Sequence, residues 1–358
     1  MDYIALGCMS GTSLDGIDLS LIRSDGETYS EEIMNYFQPY SKDLKNKLHQ
    51  VIQKGYLTDP KIASQLSIEY SRTIQQFLDS NKKYEVNVIG IHGQTLFHDE
   101  KTKISIQLFD KNLNLNSSIP VICNFRKNDL LNGGFGAPII PIYHQLLHQK
   151  LNKKSSVFVN IGGVTNITII NQEGIFAGDT SFGNALVNDL IKKKFNFEMD
   201  EDGYISGQGL VNESIIDLIL SDPFFLRPLP KTLDRNYFHK YLEQLQTMDK
   251  TENIINSLLE IVPLSIKKLI FDTNPTIILC GGGRKNLTLQ KLFRQHFKDV
   301  HSIDEYGLDG DYIESQGMAL LSIRFLNKKK STFTSTTGIK REVYLGAVSY
   351  THLRAHET

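Results

Sequence analysis

Cysteine is scarce in this chain, and its pattern excludes the usual cysteine-based sites. The 358 residues include only Cys8, Cys123 and Cys280, which lie far apart. Because the sequence has no CxxC pair and no Cys/His cluster, it does not indicate a zinc site. Each cysteine lies in an apolar run, which favours buried, reduced thiols. We therefore expect a cytoplasmic protein.

An excess of positive charge is also lacking. The chain has 39 Lys and Arg against 40 Asp and Glu, a formal net charge of -1. Proteins hold a polyanion through a basic excess that releases counterions, so we do not expect nucleic acid as a partner. No apolar stretch approaches the roughly 20 residues that cross a bilayer as a helix, so we expect no membrane partner. The composition is typical of a soluble globular protein.

Two common glycine-rich nucleotide motifs are missing, since neither G-x-x-x-x-G-K-[ST] nor G-x-G-x-x-G occurs. Three other glycine-containing turns each follow a predicted apolar strand, at residues 11–16, 162–166 and 280–283. Backbone N–H groups at the ends of strands bind ligands in many α/β proteins. The alternative for the third turn, taken alone, is a plain glycine loop.

The first two turns indicate an internal duplication. They lie about 150 residues apart, and each joins two predicted strands. The chain is also too long for one ordinary compact core. We expect two related α/β domains, domain I over 1–125 plus about 335–348 and domain II over 126–334. The sequence after Gly346 has no helical or strand period, so we expect 349–358 to be a non-native tail.

The first turn has more polar groups than a hairpin needs. Glycine lets backbone N–H groups approach phosphate oxygens, and Thr12 and Ser13 add hydroxyl donors. A carboxylate so close to a polyphosphate repels it unless a cation lies between them. Asp15 or Asp18 therefore implies Mg²⁺, held through one carboxylate and water. The alternative is an Asp-Gly hairpin with capping hydroxyls, and the pattern does not decide between the two carboxylates.

Asp179 is the candidate general base. It lies in the segment DTSFGN, where a strand is predicted to end and a helix to begin. A carboxylate at the phosphate end of a cleft can act as a base, as the catalytic-loop Asp does in kinases. The alternative is a helix N-cap.

Polar clusters elsewhere could bind a hydroxyl-rich ligand. One cluster is predicted just past a buried strand, and another lies in the segment FRKND, before a Gly-Gly-x-Gly turn. Glu314 lies on a predicted amphipathic helix, where spacing leaves both a surface and a cleft position open. The alternative for both clusters is a structural loop. The candidates are His92, Gln94, Thr95, Arg126, Asp129 and Glu314.

Eight segments appear in an order that resembles the anhydro-N-acetylmuramic acid kinase family. The resemblance covers roughly residues 4 to 347. The combination of Met-Ser-Gly-Thr-Ser-x-Asp-Gly with His-Gly-Gln-Thr is quite specific to this family. The segments are GCMSGTSLDGIDLSLI, GIHGQTLFH, FRKNDLLNGGFGAPIIP, NIGGVTNIT, DTSFGN, PKTLDRNYF, CGGGRKN and DEYGLDGDYIESQGMALL.

The resemblance implies a fold, a reaction and cofactors. The implied fold is the duplicated actin-like (ribonuclease H-like) α/β ATPase fold, with two domains around a cleft for ATP and a sugar. In the implied reaction, water opens 1,6-anhydro-N-acetylmuramic acid and the 6-oxygen takes the γ-phosphate of ATP, with Mg²⁺ as cofactor. The family also suggests a homodimer.

The resemblance also assigns roles by motif. Asp179 would activate the water, and the sugar would lie against the candidates His92, Gln94, Arg126 and Asp129. The residues assigned to ATP and its phosphates are Gly11, Thr12, Ser13, Asp15, Gly16, Asp18, Gly162, Gly163, Thr165, Gly281, Gly282, Gly283 and Asn286.

The chain departs from the family pattern in two places. Ser181 and Phe182 replace a more usual Gly-Pro turn beside Asp179, which predicts an altered backbone there. In PKTLDRNYF, Lys231 and Arg235 fit the family pattern, and Thr232 replaces a serine but keeps the hydroxyl.

Two other functions fit the residues. One is a kinase of another amino sugar, such as N-acetylglucosamine, with no hydrolytic step. The other is an actin- or Hsp70-like ATPase module that acts on a protein partner. The polar segments HGQT and FRKND argue against the module, because protein interfaces are usually richer in apolar and aromatic groups.

Overall fold

A computed structural model describes residues 1–11, 14–53, 60–99, 102–108, 113–272 and 274–349 of the chain. Thr12, Ser13 and the end of the predicted tail, residues 350–358, lie outside the described residues. The described strands are β1 (Tyr3–Ser10), β2 (Gly16–Ser24), β3 (Ser30–Pro39), β4 (Val88–Asp99), β5 (Ile104–Leu108), β6 (Val121–Cys123), β7 (Ser156–Ile161), β8 (Val164–Asn171), β9 (Gly174–Phe182), β10 (Thr276–Cys280), β11 (Asp299–Ser302) and β12 (Ala347–Ser349).

The helices alternate with these strands along the chain, as expected for an α/β protein. They are α1 (Lys42–Gln53), α2 (Pro60–Ser80), α3 (Lys127–Leu131), α4 (Pro141–Leu151), α5 (Asn184–Phe195), α6 (Glu213–Leu220), α7 (Leu242–Met248), α8 (Thr251–Lys267), α9 (Leu287–His296), α10 (Ile313–Leu326) and α11 (Thr334–Thr337).

The chain divides into two compact units. Unit 1 comprises Met1–Leu146, Tyr312–Thr334 and the described chain from Gly338, and unit 2 comprises Leu147–Asp311 and Ser335–Thr337. This division differs from the expected domains, which separated at residues 125 and 126 and placed α10 in domain II. The reason is that α10 packs on strands of unit 1.

The two sheets share one topology. In unit 1, β1 pairs with β2 and β2 with β3 in antiparallel fashion, while β4 and then β6 extend the other side in parallel. In unit 2, the antiparallel strands β7, β8 and β9 are followed by the parallel strands β10 and β11 on the other side of β7. Unit 1 therefore contains the strand order β3-β2-β1-β4-β6 and unit 2 the equivalent order β9-β8-β7-β10-β11, and the expected duplicated ribonuclease H-like fold is confirmed.

In unit 1, one face of the sheet forms a core with α1 and α2. Strand alternation places Leu6, Cys8 and Leu19 on this face, and all three are fully buried. The predicted apolar face of α2, with Leu66 and Tyr70 among its members, packs against them. Cys8, Cys123 and Cys280 are all free and buried, which confirms the prediction for the thiols.

Helix α10 covers the opposite face of this sheet, and glycines let it approach closely. A Cβ at Gly7 would overlap the Ser315 carbonyl oxygen. A Cβ at Gly90 would lie 2.5 Å from the Met318 carbonyl oxygen. From Ser315 to Arg324 every residue of α10 is buried. The prediction of an amphipathic helix was wrong, because α10 is enclosed rather than half exposed.

The end of the described chain also differs from the expectation. Ala347–Ser349 form β12, which pairs with β6 in antiparallel fashion, with Ser349 opposite Val121. Ser349 is the first residue of the predicted tail. Backbone pairing accounts for this strand, which is too short to display an alternating pattern.

Gly7→Ala should destabilise unit 1. The added methyl group meets backbone rather than a flexible side chain, and overpacking of this kind costs about 1–3 kcal/mol. The measurement is thermal and urea unfolding. Gly282→Ala is the stability control, since a Cβ there has nothing within 4 Å. If the two variants have the same unfolding temperature and the same urea midpoint, the close packing of α10 on β1 is contradicted.

Candidate active site

The first turn is anchored by two contacts in unit 1. The Gly11 carbonyl accepts hydrogen bonds from the Leu14 amide at 3.3 Å and from Gln94 Nε2 at 3.0 Å. Leu14 has φ 58° and is 1% exposed, so its side chain holds the turn to the core. The expected hydroxyl donors Thr12 and Ser13 fall between these anchors, outside the described residues.

Gly16 has a packing role that the sequence did not indicate. It is the first residue of β2, opposite Pro39, and a Cβ there would overlap the Gln38 carbonyl oxygen. The glycine is therefore explained by the close approach of β3.

The two candidate metal-binding carboxylates lie in different surroundings. Asp15 is exposed, and its Oδ1 lies 2.7 Å from Lys45 Nζ. Asp18 is half-buried in β2, opposite Met9. Its neighbours in the strand, Ile17 and Leu19, belong to the core, so Asp18 lies on the other face of the sheet.

These positions fit a magnesium ion held by one carboxylate. Among the residues that the structure describes, no group of three His, Cys, Asp or Glu could hold a metal ion. Mg²⁺ in nucleotide sites is usually held by one or two carboxylates, water and phosphate, and needs no such cluster. Asp15 is exposed at the surface, whereas Asp18 is half-buried in β2 near the first turn, so Asp18 is the better candidate.

His92, Gln94 and Thr95 lie within β4, which continues to Asp99. The prediction that they follow a strand was wrong, because β5 pairs with the second half of β4 and extends it. Thr95 is half-buried, opposite Gln107 of β5. Gln94 is fully buried, and its Oε1 has no hydrogen-bond partner within the described part of the chain.

His92 is a neutral, oriented imidazole. Its Nδ1 donates to the Gly93 carbonyl at 2.8 Å, and its Nε2 accepts from Arg126 Nε at 3.0 Å. Burial, and then the Arg126 charge, lower the pKa of His92 to about 3. Arg126 Nη1 also donates to the Gly136 carbonyl at 2.8 Å, so Arg126 ties β4 to the Gly-Gly-x-Gly turn.

Asp129 has a structural role in the same turn. It is fully buried, and its Oδ2 accepts from the Gly136 amide at 2.7 Å. A Cβ at Gly134 would overlap the Asp129 carboxylate, which explains that glycine. Glu314 lies half-buried in the first turn of α10.

In unit 2, the second turn supports the start of α5. The Gly162 carbonyl accepts from the Asn184 amide at 2.8 Å, and the Gly163 carbonyl accepts from the Gly183 amide at 3.1 Å. Thr165 is fully buried, and its hydroxyl donates to the Phe182 carbonyl at 3.0 Å. The expected hairpin is present, but the Thr165 hydroxyl bonds within the protein.

Asp179 lies inside β9 and not at a helix start. The strand continues to Phe182, and Gly183 is the N-cap of α5, so the alternative of an N-capping Asp179 is excluded. Asp179 is half-buried, and its Oδ2 accepts from the Leu233 amide at 2.7 Å. The carboxylate is therefore oriented by a main-chain donor.

Two asparagines share the sheet face of Asp179. Asn166 of β8 lies opposite Asp179, and Asn160 of β7 lies opposite Asn166. All three are half-buried, so they form a polar row across three strands. Neither asparagine was predicted from the sequence as a site residue, although each interrupts an apolar strand at the alternating position.

Ser181 and Phe182 are accommodated by a bulge. The register of β8 and β9 shifts so that Thr180 is the extra residue between Asp179 and Ser181. Phe182 is 2% exposed and packs edge-on against Phe238, with ring centroids 5.2 Å apart. Ser181 and Phe182 thus lie within β9, and Phe182 fixes the end of this strand in the core.

The third turn lies between β10 and α9, as predicted. Gly281 has φ 72°, and a Cβ there would overlap Oδ1 of Asn160, whereas a Cβ at Gly282 would meet nothing. Gly283 packs on Ile161. Asn286 is the N-cap of α9, where its side chain accepts from the Leu289 amide at 2.9 Å.

The next residue after these glycines, Arg284, fixes the turn. It is 3% exposed, and it lies 2.7 Å from Asp304 and 2.6 Å from Asp311. Burial opposes ionisation of Asp304, but the hydrogen bond from Arg284 prevails and the pKa of Asp304 falls to about 2. This role of Arg284 was not predicted from the sequence.

The duplicated topology, with a glycine-rich turn after β1, β7 and β10, defines an actin-like α/β protein. The family model described as anhydro-N-acetylmuramic acid kinase matches residues 3–351. The chain belongs to this family.

Curated relatives agree. The chain is 34% identical to the anhydro-N-acetylmuramic acid kinase of Pelagibacter ubique, over 95% of this chain and 96% of the relative. It is 32% identical to the anhydro-N-acetylmuramic acid kinase of Haemophilus influenzae, over 96% of this chain and 97% of the relative.

Solved structures are only distantly similar. Component A of (R)-2-hydroxyglutaryl-CoA dehydratase from Acidaminococcus fermentans has a TM-score of 0.45 at 11% identity, covering 91% of this chain and 100% of that chain. A ROK family glucokinase from Streptomyces griseus, in complex with glucose and AMPPNP, has a TM-score of 0.43 at 11% identity, covering 89% and 99%. In the described part of this chain, no helix has the length and apolar character to cross a membrane.

His92 should make unit 1 sensitive to acid. Its pKa is about 3 when folded, against 6.5 for an ordinary histidine. Below pH 6.5 the unfolded chain therefore binds a proton that the folded chain does not, and stability falls by up to about 1.4 kcal/mol per pH unit. His92→Gln should reduce the loss of stability between pH 7.5 and 5.5 in urea unfolding.

His301→Gln is the control of opposite sign. Hydrogen bonding to Glu305 raises the pKa of His301, so its stabilisation is present at low pH and is lost as pH rises. This variant should therefore lose more stability than the parent as pH falls. Identical pH profiles for His92→Gln and the parent would contradict the buried neutral imidazole.

Proposed function

We propose that the protein is an ATP-dependent kinase of 1,6-anhydro-N-acetylmuramic acid. Water opens the anhydro bond, the 6-oxygen takes the γ-phosphate, and the products are N-acetylmuramic acid 6-phosphate and ADP. The observation that carries the proposal is the Asp179 carboxylate, held by the Leu233 amide on a polar strand face in a chain of this family. Because the reaction consumes ATP, we place it in the cytoplasm.

Asp179 acts as the general base in this proposal. Its carboxylate takes a proton from water, and the water oxygen bonds to C1 of the sugar as the bond between C1 and the 6-oxygen breaks. The 6-oxygen then bonds to the γ-phosphorus, and the bond from that phosphorus to the β-phosphate oxygen breaks. A positioned base typically contributes 10²–10⁴-fold, and the main-chain hydrogen bond to Asp179 supplies the positioning.

The phosphates of ATP bind the glycine-rich turns in this proposal. Gly11, Gly162, Gly163 and Gly282 provide backbone at which no Cβ obstructs a ligand. Gly16, Thr165, Gly283 and Asn286 support these turns through the packing and hydrogen bonds already described. Bound with ATP, Mg²⁺ would neutralise phosphate charge, and Asp18 would hold it through water.

The sugar binds the polar side of unit 1 in this proposal. Gln94 has a buried oxygen that a ligand hydroxyl could satisfy. His92, Arg126 and Asp129 hold β4 and the Gly-Gly-x-Gly turn in place around Gln94. Thr95 and Glu314 are half-buried and are the remaining candidates for contact with the sugar. The homodimer suggested by the resemblance stays a prediction.

The first test is conversion of the purified anhydro sugar. The protein with ATP and Mg²⁺ should yield ADP and one phosphosugar in equal amounts, followed by mass spectrometry. A parallel reaction with N-acetylglucosamine tests the other amino-sugar kinase. Absence of a phosphosugar from the anhydro substrate at every enzyme concentration would overturn the proposal.

Asp179→Asn should retain ATP binding and lose turnover by roughly two or more decades, because the amide cannot take the proton. ATP binding is measured by calorimetry and turnover by ADP release. Asn166→Asp is a matched variant in the neighbouring strand, which keeps the base and should keep far more activity. Unchanged turnover in Asp179→Asn would remove Asp179 from the role of base.

Asp18→Asn should raise the Mg²⁺ concentration needed for half-maximal turnover by about 10–100-fold, as loss of a group that holds a metal ion through water does. Asp15→Asn should change it little, since Asp15 pairs with Lys45. The measurement is the Mg²⁺ dependence of turnover at fixed ATP. The reverse order of the two variants would assign the metal to Asp15.

A further inference from the structure

A segment at residues 229–233 runs along the outer edge of β9 and contacts Asp179 twice. The Asp179 amide donates to the Lys231 carbonyl at 2.8 Å, and the Leu233 amide donates to Asp179 Oδ2 at 2.7 Å. We call this segment the edge strap. Its position decides where the Asp179 carboxylate points.

The edge strap lies very close to β9. A Cβ at Gly178 would be 2.9 Å from both the amide nitrogen and the carbonyl oxygen of Lys231. Only glycine permits this approach without moving main chain. The strap is therefore seated against the strand at the residue before Asp179.

Lys231 anchors the strap on its other side. The side chain is 1% exposed, its Nζ donates to the Phe224 carbonyl at 3.0 Å, and Nζ lies 4.3 Å from the centre of the Phe224 ring. Phe224 belongs to the short 3-10 helix Pro223–Leu226, which is capped by the buried Asp222. The ammonium thus ties the strap to Phe224, whose ring packs against Phe225 and Phe238.

A buried ammonium is costly, so its retention needs a reason. The charged groups that face Lys231 are Arg227 and Lys268, which repel it, and Asp179, which attracts it. Burial, followed by Arg227, lowers the pKa of Lys231 to about 8, so the side chain is still mainly charged at pH 7. A methionine would fill much of the same volume without this cost, but it would supply neither the hydrogen bond nor the charge.

We propose that Lys231 is a positioning residue for the base. It fixes the strap whose main chain orients the Asp179 carboxylate, and its charge favours the ionised form of that carboxylate. The inference rests on the proposed function, because it needs Asp179 to act as the base.

The test compares Lys231→Met, Lys231→Arg and the control Lys267→Met. Lys267 is an exposed residue at the end of α8, so the control removes one charge from the surface of unit 2. The readouts are kcat and KM for ATP and sugar from pH 5 to 9, with thermal unfolding measured alongside.

Lys231→Met should lower kcat about tenfold or more at pH 6, with little change in KM for ATP. The acid limb of its kcat profile, which is the fall in kcat at low pH, should move to higher pH, because loss of a positive charge that favours the ionised carboxylate raises the pKa of that carboxylate. Lys231→Arg keeps the positive charge, so the acid limb of its kcat profile should stay where it is in the parent enzyme. Lys267→Met should match the parent enzyme both in kcat and in the position of the acid limb.

A purely structural role would lower stability and the amount of active enzyme without moving the acid limb, and that result overturns the inference. The inference is also overturned if Lys231→Met has the kcat and the acid limb of the parent enzyme.

If Lys231→Met does not fold, the variant Gly178→Ala tests the strap, because it displaces the strap without removing the charge of Lys231. Gly178→Ala should lower kcat, because the displaced Leu233 amide no longer orients the Asp179 carboxylate, and parental kcat would overturn the inference. An inactive parent enzyme would instead refute the proposed function.

Discussion

The hydrogen bond from the Leu233 amide to the Asp179 carboxylate is the interaction on which the proposed site depends. A carboxylate on a strand can adopt several rotamers, and only a fixed donor selects one of them. Here the donor belongs to main chain that is itself paired to β9 through the Lys231 carbonyl. A group that takes a proton from water must be oriented in this way, since catalysis depends on positioning to within a fraction of an ångström.

The surrounding sheet makes this arrangement possible. In unit 2, β9 is an edge strand, so its outer backbone groups are available to the edge strap. A register shift at Thr180 lies between Asp179, which faces the polar row, and Phe182, which is buried in the core of unit 2. Ser181 and Phe182 therefore lie at the end of β9, where the family pattern has Gly-Pro, and Asp179 keeps its place opposite Asn166.

Sequence patterns predicted the duplicated fold and the glycine turns because these signals are local. The glycines after β1, β7 and β10 all lie at strand ends, as expected. Packing across the sheet was not predictable in the same way. The burial of α10 depends on its contacts with Gly7 and Gly90, which are distant in the chain.

Site roles were predictable only in part, for the same reason. The polar residues of DTSFGN are typical of a helix start, but pairing with β8 places Asp179 in a strand. Asn160 and Asn166 were visible as polar residues in apolar strands and could have been found. The contact of Lys231 with Phe224, and the enclosure of Asp129 by its own loop, follow from tertiary structure.

The central claim is that water opens the anhydro bond during phosphoryl transfer, and an isotope experiment tests it most directly. The reaction is run briefly in ¹⁸O water with the anhydro sugar and ATP, beside a control of finished product in the same water. The account predicts one ¹⁸O at C1 of the phosphosugar, above the control's slow exchange, and none in the phosphate group. Unlabelled C1, or ¹⁸O in the phosphate, would contradict it.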